Sequence, residues 1–174
     1  LLYDLNWPRG FHVVAVTVRF LLGDAFIFMT PTLFLILLLW SVYKIGELLR
    51  NRTTGLASAL IVGLYPWIYV SSCHFDYEMA QAAMTALIVY LLLDSRRFSS
   101  LAYSVFFGIV LAFGLIIKQS VVLFVGGPLY ISMHSLFKNI PRNSVKIRNV
   151  CFALIICFCI ALFSALIFFK IKAI

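Results

Sequence analysis

The sequence predicts an all-α protein, a bundle of helices that crosses a membrane several times. Its 174 residues include only 11% charged side chains, whereas a soluble domain usually has about 25%. Its mean hydropathy is +1.07. Its apolar residues are gathered into runs near the roughly 20 residues that a helix needs to cross about 30 Å of hydrocarbon. Lipid is therefore the expected environment for most of its surface.

Residues 1–24 are predicted to form an outer-face segment with an interfacial helix. This stretch is apolar, but Arg9, His12, Arg19 and Asp24 interrupt it. These charges make it too broken to span, while its arginines and tryptophan suit the headgroup zone of a membrane.

Residues 25–174 are predicted to form the transmembrane helical domain. Five or six of its segments are long enough to span, some of them marginally. They lie at about 25–43, 55–72, 77–93, 101–117, 121–137 and 150–169. The links between them are short, so successive helices should run antiparallel. We expect about six transmembrane helices.

The distribution of basic residues predicts the orientation. The net charge is +8, but the basic residues lie in short clusters between apolar runs, as in membrane loops. They form no basic face of the kind that binds nucleic acid. If the link after the first span is cytoplasmic, nine of the 14 Lys and Arg residues lie inside, in agreement with the positive-inside rule. Residues 71–84 and Lys118 then face the periplasm or lumen.

Two predicted spans contain helix-breaking residues in their outer halves. Pro66 should kink the second span and free the carbonyl of Val62. Residues 126–128, Gly-Gly-Pro, should interrupt the fifth span more severely. Such breaks are tolerated beside neighbouring helices or a water-filled cavity. They predict either packing kinks or a cavity at the depth of the outer polar residues.

The stretch SSCHFDYEMAQAAM, residues 71–84, gathers polar groups between two apolar runs. Asp76 is placed to cap the following helix, and Glu78 falls in its first turn, where the helix dipole favours a carboxylate. Both acids are thus explained without a function, although Asp76 fits a functional group equally well. His74 is more often a loop hydrogen-bond donor than a base.

Lys118 ends a long apolar run, where it either extends to the interface or serves a functional site. No hydrolase triad, zinc spacing, phosphate-binding loop or dinucleotide fingerprint is visible, and nothing requires a metal or cofactor. A few polar groups at a membrane face suit transfer from a lipid-linked donor. Such a reaction needs a groove for the lipid, a cation for the phosphate and a carboxylate base for the acceptor.

The order of these features resembles that of a known family. NWPRGFH at 6–12 precedes Gly-Asp before a span, and a short basic turn follows in RNRTTGLASALIVGLYP. A Ser-x-x-x-x-Asp pattern then opens the next helix, and a Gly-rich span later ends in Lys. This arrangement is similar to the lipid-linked-sugar glycosyltransferases of the C-type fold (GT-C), in particular the protein-mannosyltransferase and aminoarabinose-transferase-like group. The resemblance covers nearly the whole chain.

The resemblance implies a polyprenyl-phosphate sugar donor, an acceptor of unknown identity and a partial GT-C module. Pro8 matches one position of the family's proline motif, Asp76 its acidic residue after the third span, and Lys118 a Lys near the donor phosphate. With Glu78 and His74, these are the expected substrate-binding residues. The family's Asp–Glu pair is absent, so the main base is expected upstream of Leu1, and the chain alone is expected to be inactive.

Two other functions fit the sequence. One is a non-catalytic membrane protein, such as a transporter or scaffold subunit, in which Asp76 and Lys118 form a structural ion pair. The other is a lipid-linked polysaccharide polymerase or ligase, which shares the donor class. In each case we expect a multi-pass protein surrounded by membrane lipids, in a bacterial inner membrane or the endoplasmic reticulum.

Overall fold

The structure, a computed structural model, describes residues 9–95, 98–137 and 144–172, and within these ranges it contains helices and no strands. This confirms the predicted all-α class. The elements in chain order are α1 (Arg9–Leu22), the short 3₁₀ helix η1 (Asp24–Met29), α2 (Thr30–Leu49), α3 (Arg52–Gly63), α4 (Pro66–Cys73), α5 (Tyr77–Asp94), α6 (Leu101–Ile117), α7 (Val121–Phe137) and α8 (Ser144–Lys172).

Helix α5 lies at the centre of the bundle. It packs against α2, α6 and α7, and its first part also contacts α4. Helix α3 packs on α2, and α8 packs on α6. The buried side chains of α5 recur every three or four residues and supply much of the core: Met79, Ala80, Ala83, Met84, Leu87, Ile88, Leu91 and Leu92.

Within the described residues, two helices are long and apolar enough to cross a membrane: Asp24–Leu49 (η1 with α2) and Ser144–Ser164 within α8. A third span arises if α3 and α4, which are bent by 63° at their break, count as one. Shorter apolar helices occur at Gly10–Leu22, Leu101–Ile117 and Val121–His134. Together these helices form a helical membrane bundle.

The first turn of helix α1 packs closely on the bundle, and Ala15 and Val18 farther along are also buried. Gly10 lies so close to α6 that an added Cβ would come within 2.8 Å of the backbone nitrogen of Ile117. The Phe11 ring is buried and lies 4.8 Å from the ring of Phe75. Farther along α1, large apolar side chains are exposed, and Phe20 is 87% exposed. That this helix lies along the membrane surface stays a prediction.

The break at Pro66 is confirmed. Helix α3 ends at Gly63, and Pro66 occupies the first turn of α4, where its missing N–H removes no helical hydrogen bond. The prediction that the Val62 carbonyl is left free is wrong, because the backbone N–H of Tyr65 donates to it at 3.2 Å.

The predicted break at residues 126–128 is wrong, whereas the kink expected there stays a prediction. Helix α7 continues through Pro128. One proline removes only one helical hydrogen bond. An added Cβ at Gly126 or Gly127 would meet nothing within 4 Å, so this part of the helix has room to adjust around the proline ring.

Candidate functional site

The candidate site is a groove between α4, α5 and α7, with a volume of about 560 Å³. We call it the α4–α5 groove. Its wall is mainly apolar, with polar side chains from α4, α5 and the end of α6. The lining residues are Trp67, Ile68, Ser71, Glu78, Met79, Gln81, Ala82, Thr85, Ala86, Lys118 and Phe124.

The polar side of the groove comes from one face of α5. Glu78, Gln81 and Thr85 follow one another at spacings of three and four residues, which places them above one another on a helix. The helix begins so close to Glu78 because Asp76 caps it. The Thr85 hydroxyl donates to the backbone oxygen of Gln81 at 2.8 Å. Glu78 and Gln81 therefore place an acidic and an amide residue in the lining of the same cavity.

Lys118 reaches the groove from the end of α6. Its N–H donates the last hydrogen bond of α6, to the oxygen of Gly114 at 2.9 Å. Its own backbone is extended (φ −158°, ψ 125°), so the helix ends there. The half-buried side chain places Nζ 4.5 Å from the centre of the Tyr77 ring. A cation over an aromatic face keeps its charge while gaining an electrostatic contact.

Two of the other predicted site residues, Asp76 and His74, are not among the residues that line the groove. Asp76 caps α5 as predicted, and its carboxylate accepts from the backbone N–H of Tyr77 at 2.6 Å. His74 is exposed, and its Nδ1 lies 2.8 Å from the carbonyl oxygen of Val70. Pro8 lies outside the described residues. The structure therefore brings Glu78 and Lys118 together in one cavity, and the other three positions remain predictions.

The ion pairs of the described residues are Arg19–Asp24, Lys44–Glu47 and Arg52–Glu47. None of them joins Asp76 to Lys118, so the structural ion pair that the non-catalytic alternative requires is not formed in the described part of the chain. Nor do three His, Cys, Asp or Glu side chains within the described ranges come together as a metal-binding group.

Sequence reasoning missed Ser71, Trp67 and Gln81. Gln81 had a usable signal, because it follows Glu78 by three residues and must share its face of the helix. Ser71 begins the Ser-x-x-x-x-Asp pattern but was given no role in the site. Trp67 had no signal, because the bend at Pro66 decides which residues of α4 face α5.

Fold and groove together define a helical membrane protein with a charged, partly apolar cavity near one end of its bundle. A family model described as dolichyl-phosphate-mannose-protein mannosyltransferase matches residues 15–169. The chain belongs to this family of GT-C glycosyltransferases, which confirms the resemblance found in the sequence. It matches no curated protein and no solved structure.

Proposed function

We propose that this protein takes part in moving a sugar from a polyprenyl-phosphate donor to an acceptor on the periplasmic or lumenal face, with Lys118 binding the donor phosphate. The observation that carries this proposal is the α4–α5 groove, where a mainly apolar wall meets a lysine that makes no ion pair within the described residues. Membership of the mannosyltransferase family supports the reaction class.

The apolar part of the groove suits the lipid portion of such a donor. Ile68 from α4, Ala82 and Ala86 from α5, and Phe124 from α7 line it. Small side chains on α5 leave space between the helices, while the larger ones on α4 and α7 offer apolar contact surface. Burying a hydrocarbon chain stabilises binding by about 0.8 kcal/mol for each methylene group, so a long prenyl chain needs little polar help to stay in such a groove.

The phosphate needs a cation at the same place, and Lys118 supplies it. Its Nζ contacts the face of Tyr77 instead of a carboxylate, so its charge is not neutralised by an ion pair. Glu78 lies in the same lining and would repel an anion placed against it, so the phosphate should bind on the Lys118 side of the cavity.

In the transfer, the bond between the anomeric carbon and the phosphate oxygen breaks, and the phosphate leaves with the bonding electrons. The acceptor oxygen or nitrogen bonds to that carbon, and its proton passes to a carboxylate base. The role proposed for Lys118 is to stabilise the negative charge of the phosphate, both when the donor binds and when the phosphate leaves.

The test is equilibrium binding of polyprenyl phosphate to purified Lys118→Gln protein. Charge-assisted hydrogen bonds contribute about 1.5–3 kcal/mol, so the affinity should fall roughly 10- to 150-fold. Lys118→Arg should retain part of the affinity, because it keeps the charge but presents a planar fork. Lys146→Gln on α8 is the matched control and should bind like the wild type. Unchanged affinity of Lys118→Gln, in protein with unaltered thermal stability, would refute the phosphate site.

A further inference from the structure

We propose that Glu78 and Gln81 bind the hydroxyl groups of the donor sugar, and that Gln81 thereby helps to set which sugar is accepted. This inference rests on the proposed function, since it places the sugar beside a phosphate held by Lys118. It assigns a role to Gln81 and gives Glu78 a specific ligand chemistry.

The starting observation is unused hydrogen-bonding capacity. Among the described residues, neither the Glu78 carboxylate nor the Gln81 side-chain amide has a hydrogen-bond or ion-pair partner, although both line the groove and are partly buried. Thr85, one turn farther on, already donates its hydroxyl to the backbone. Neither side chain is among the buried polar groups of the described residues that have no partner, so their polar atoms are accessible from the groove. Glu78 and Gln81 can therefore bind a polar ligand that enters it.

The chemistry of the two side chains selects the kind of ligand. A carboxylate only accepts hydrogen bonds, whereas an amide both donates and accepts. Neutral hydroxyl groups satisfy both, because each one donates and accepts. A second phosphate does not, since the Glu78 carboxylate would repel it. The neighbouring side chains thus divide the groove into a phosphate side at Lys118 and a hydroxyl side at Glu78 and Gln81.

The spacing suits one sugar ring. Side chains three residues apart on a helix have Cβ atoms about 5–6 Å from each other, so Glu78 and Gln81 can contact different hydroxyls of the same ring. Ser71, which is largely buried, lines the groove from α4. A sugar held between α4 and α5 would be contacted from both helices.

The experiment compares two kinds of lipid on the same purified protein. One is polyprenyl phosphate; the other is polyprenyl phosphate carrying mannose, glucose or a pentose. Wild-type protein should bind at least one sugar-bearing lipid more tightly than the bare lipid. Gln81→Leu should reduce the affinity for that sugar-bearing lipid about 3- to 10-fold, which corresponds to the free energy of one hydrogen bond. Its affinity for bare polyprenyl phosphate should stay unchanged. Retained bare-lipid binding also shows that the variant is folded.

Gln119→Leu is the matched control. It makes the same chemical change next to Lys118, but Gln119 is exposed and does not line the groove, so neither affinity should change. Glu78→Gln should weaken binding of the sugar-bearing lipid, because the carboxylate that accepts from a sugar hydroxyl is lost. It should not weaken binding of the bare lipid, because the substitution removes a charge that repels the phosphate.

The outcomes separate this inference from the proposed function. If Gln81→Leu weakens the binding of both lipids equally, or of neither, the sugar contact is refuted, even where Lys118→Gln weakens phosphate binding as expected. A wild-type protein that binds every sugar-bearing lipid no more tightly than the bare one refutes it as well. If Lys118→Gln leaves both affinities unchanged, the phosphate site fails instead.

Discussion

At the scale of single residues, the link between α5 and α6 shows how a buried amide supports an unusual backbone. Phe98 has a left-handed backbone (φ 63°) and a fully buried ring that meets Phe107 edge-on at 5.5 Å. The Asn149 amide on α8 donates to the Phe98 carbonyl at 2.9 Å, and the Phe98 N–H donates to the hydroxyl of Ser95 at 3.2 Å. Left-handed conformations cost about 1–2 kcal/mol per residue, so these contacts must compensate for it.

Replacing Asn149 with Ala should therefore destabilise the protein. It leaves the buried Phe98 carbonyl without its donor, a loss of about 1–3 kcal/mol, and it also removes packing, because Asn149 is only 1% exposed. The melting temperature in detergent measures the effect. Gln119→Ala, on an exposed side chain, is the control. An unchanged melting temperature for Asn149→Ala would show that this hydrogen bond does not hold the link.

At the scale of the elements, glycine decides how closely helices approach. Gly46 on α2 faces Gly55 on α3, where an added Cβ on Gly46 would lie 2.7 Å from the Gly55 Cα. Gly108 on α6 faces α8, where its added Cβ would collide with the carbonyl of Ala153. Close backbone approach at small residues is a principal source of helix association in membranes, since burial from lipid adds little.

Two glycines with opposite surroundings give a matched test of this packing. Gly108→Ala should destabilise the protein by about 1–3 kcal/mol, because α6 and α8 must separate or strain to admit the methyl group. Gly126→Ala on α7 meets open space and should be neutral, or stabilise by up to about 1 kcal/mol through helix propensity. Gly127 is unsuitable as the control because it precedes a proline.

Thermal unfolding of the two variants in the same detergent decides the matter. Gly126→Ala should melt at or above the melting temperature of the wild type. Gly108→Ala should melt below both. If Gly108→Ala unfolds like the wild type, the contact between α6 and α8 is looser than this packing requires.

At the scale of the whole molecule, the bundle has two distinct ends. At one end Gly10 packs on Ile117, Phe11 on Phe75, and Lys118 lies over the ring of Tyr77. The other end holds the contact between Gly46 and Gly55 and the link at Phe98. The charge distribution predicts that the Lys118 end faces outward and the opposite end the cytoplasm.

This orientation predicts the fate of a glycosylation pattern. Asn51-Arg52-Thr53 is an acceptor sequence, and Asn51 caps α3 by accepting from the N–H of Thr54 at 2.8 Å. Expressed in a eukaryotic membrane, Asn51 should stay unmodified, because it should face the cytoplasm. Mass spectrometry of that peptide checks it. A glycan there would invert the molecule and move Lys118 to the opposite side.

A positive readout of the same orientation comes from Cys73, which is exposed at the end of α4. In a variant whose other three cysteines are replaced by Ala, a membrane-impermeant thiol reagent should label Cys73 from outside intact cells. Moving the thiol to the opposite end, with Cys73→Ala and Asn51→Cys, should abolish labelling until the membrane is permeabilised.

Local signals in the sequence foretold much of the fold and part of the site. The apolar runs predicted the helices, and the cap at Asp76 and the break at Pro66 followed from a carboxylate before an apolar run and from a missing N–H. The break predicted at Gly-Gly-Pro did not occur, because local propensity gives the energetic cost of a proline in a helix but not the free space around its ring. The exposed apolar side chains of α3 (Leu56, Leu60 and Ile61) and of α1 carry no signal of what lies against them.

The sequence by itself determined the helical membrane class, the family and the polar character of residues 71–84, because hydropathy, helix caps and motif order are local properties of the chain. Only the tertiary structure decided that Glu78 and Gln81 share a groove with Lys118, about 40 residues away in the chain. That juxtaposition depends on the packing of α5 against α6 and α7. Such packing comes from shape complementarity between distant segments, which periodicity and composition do not encode.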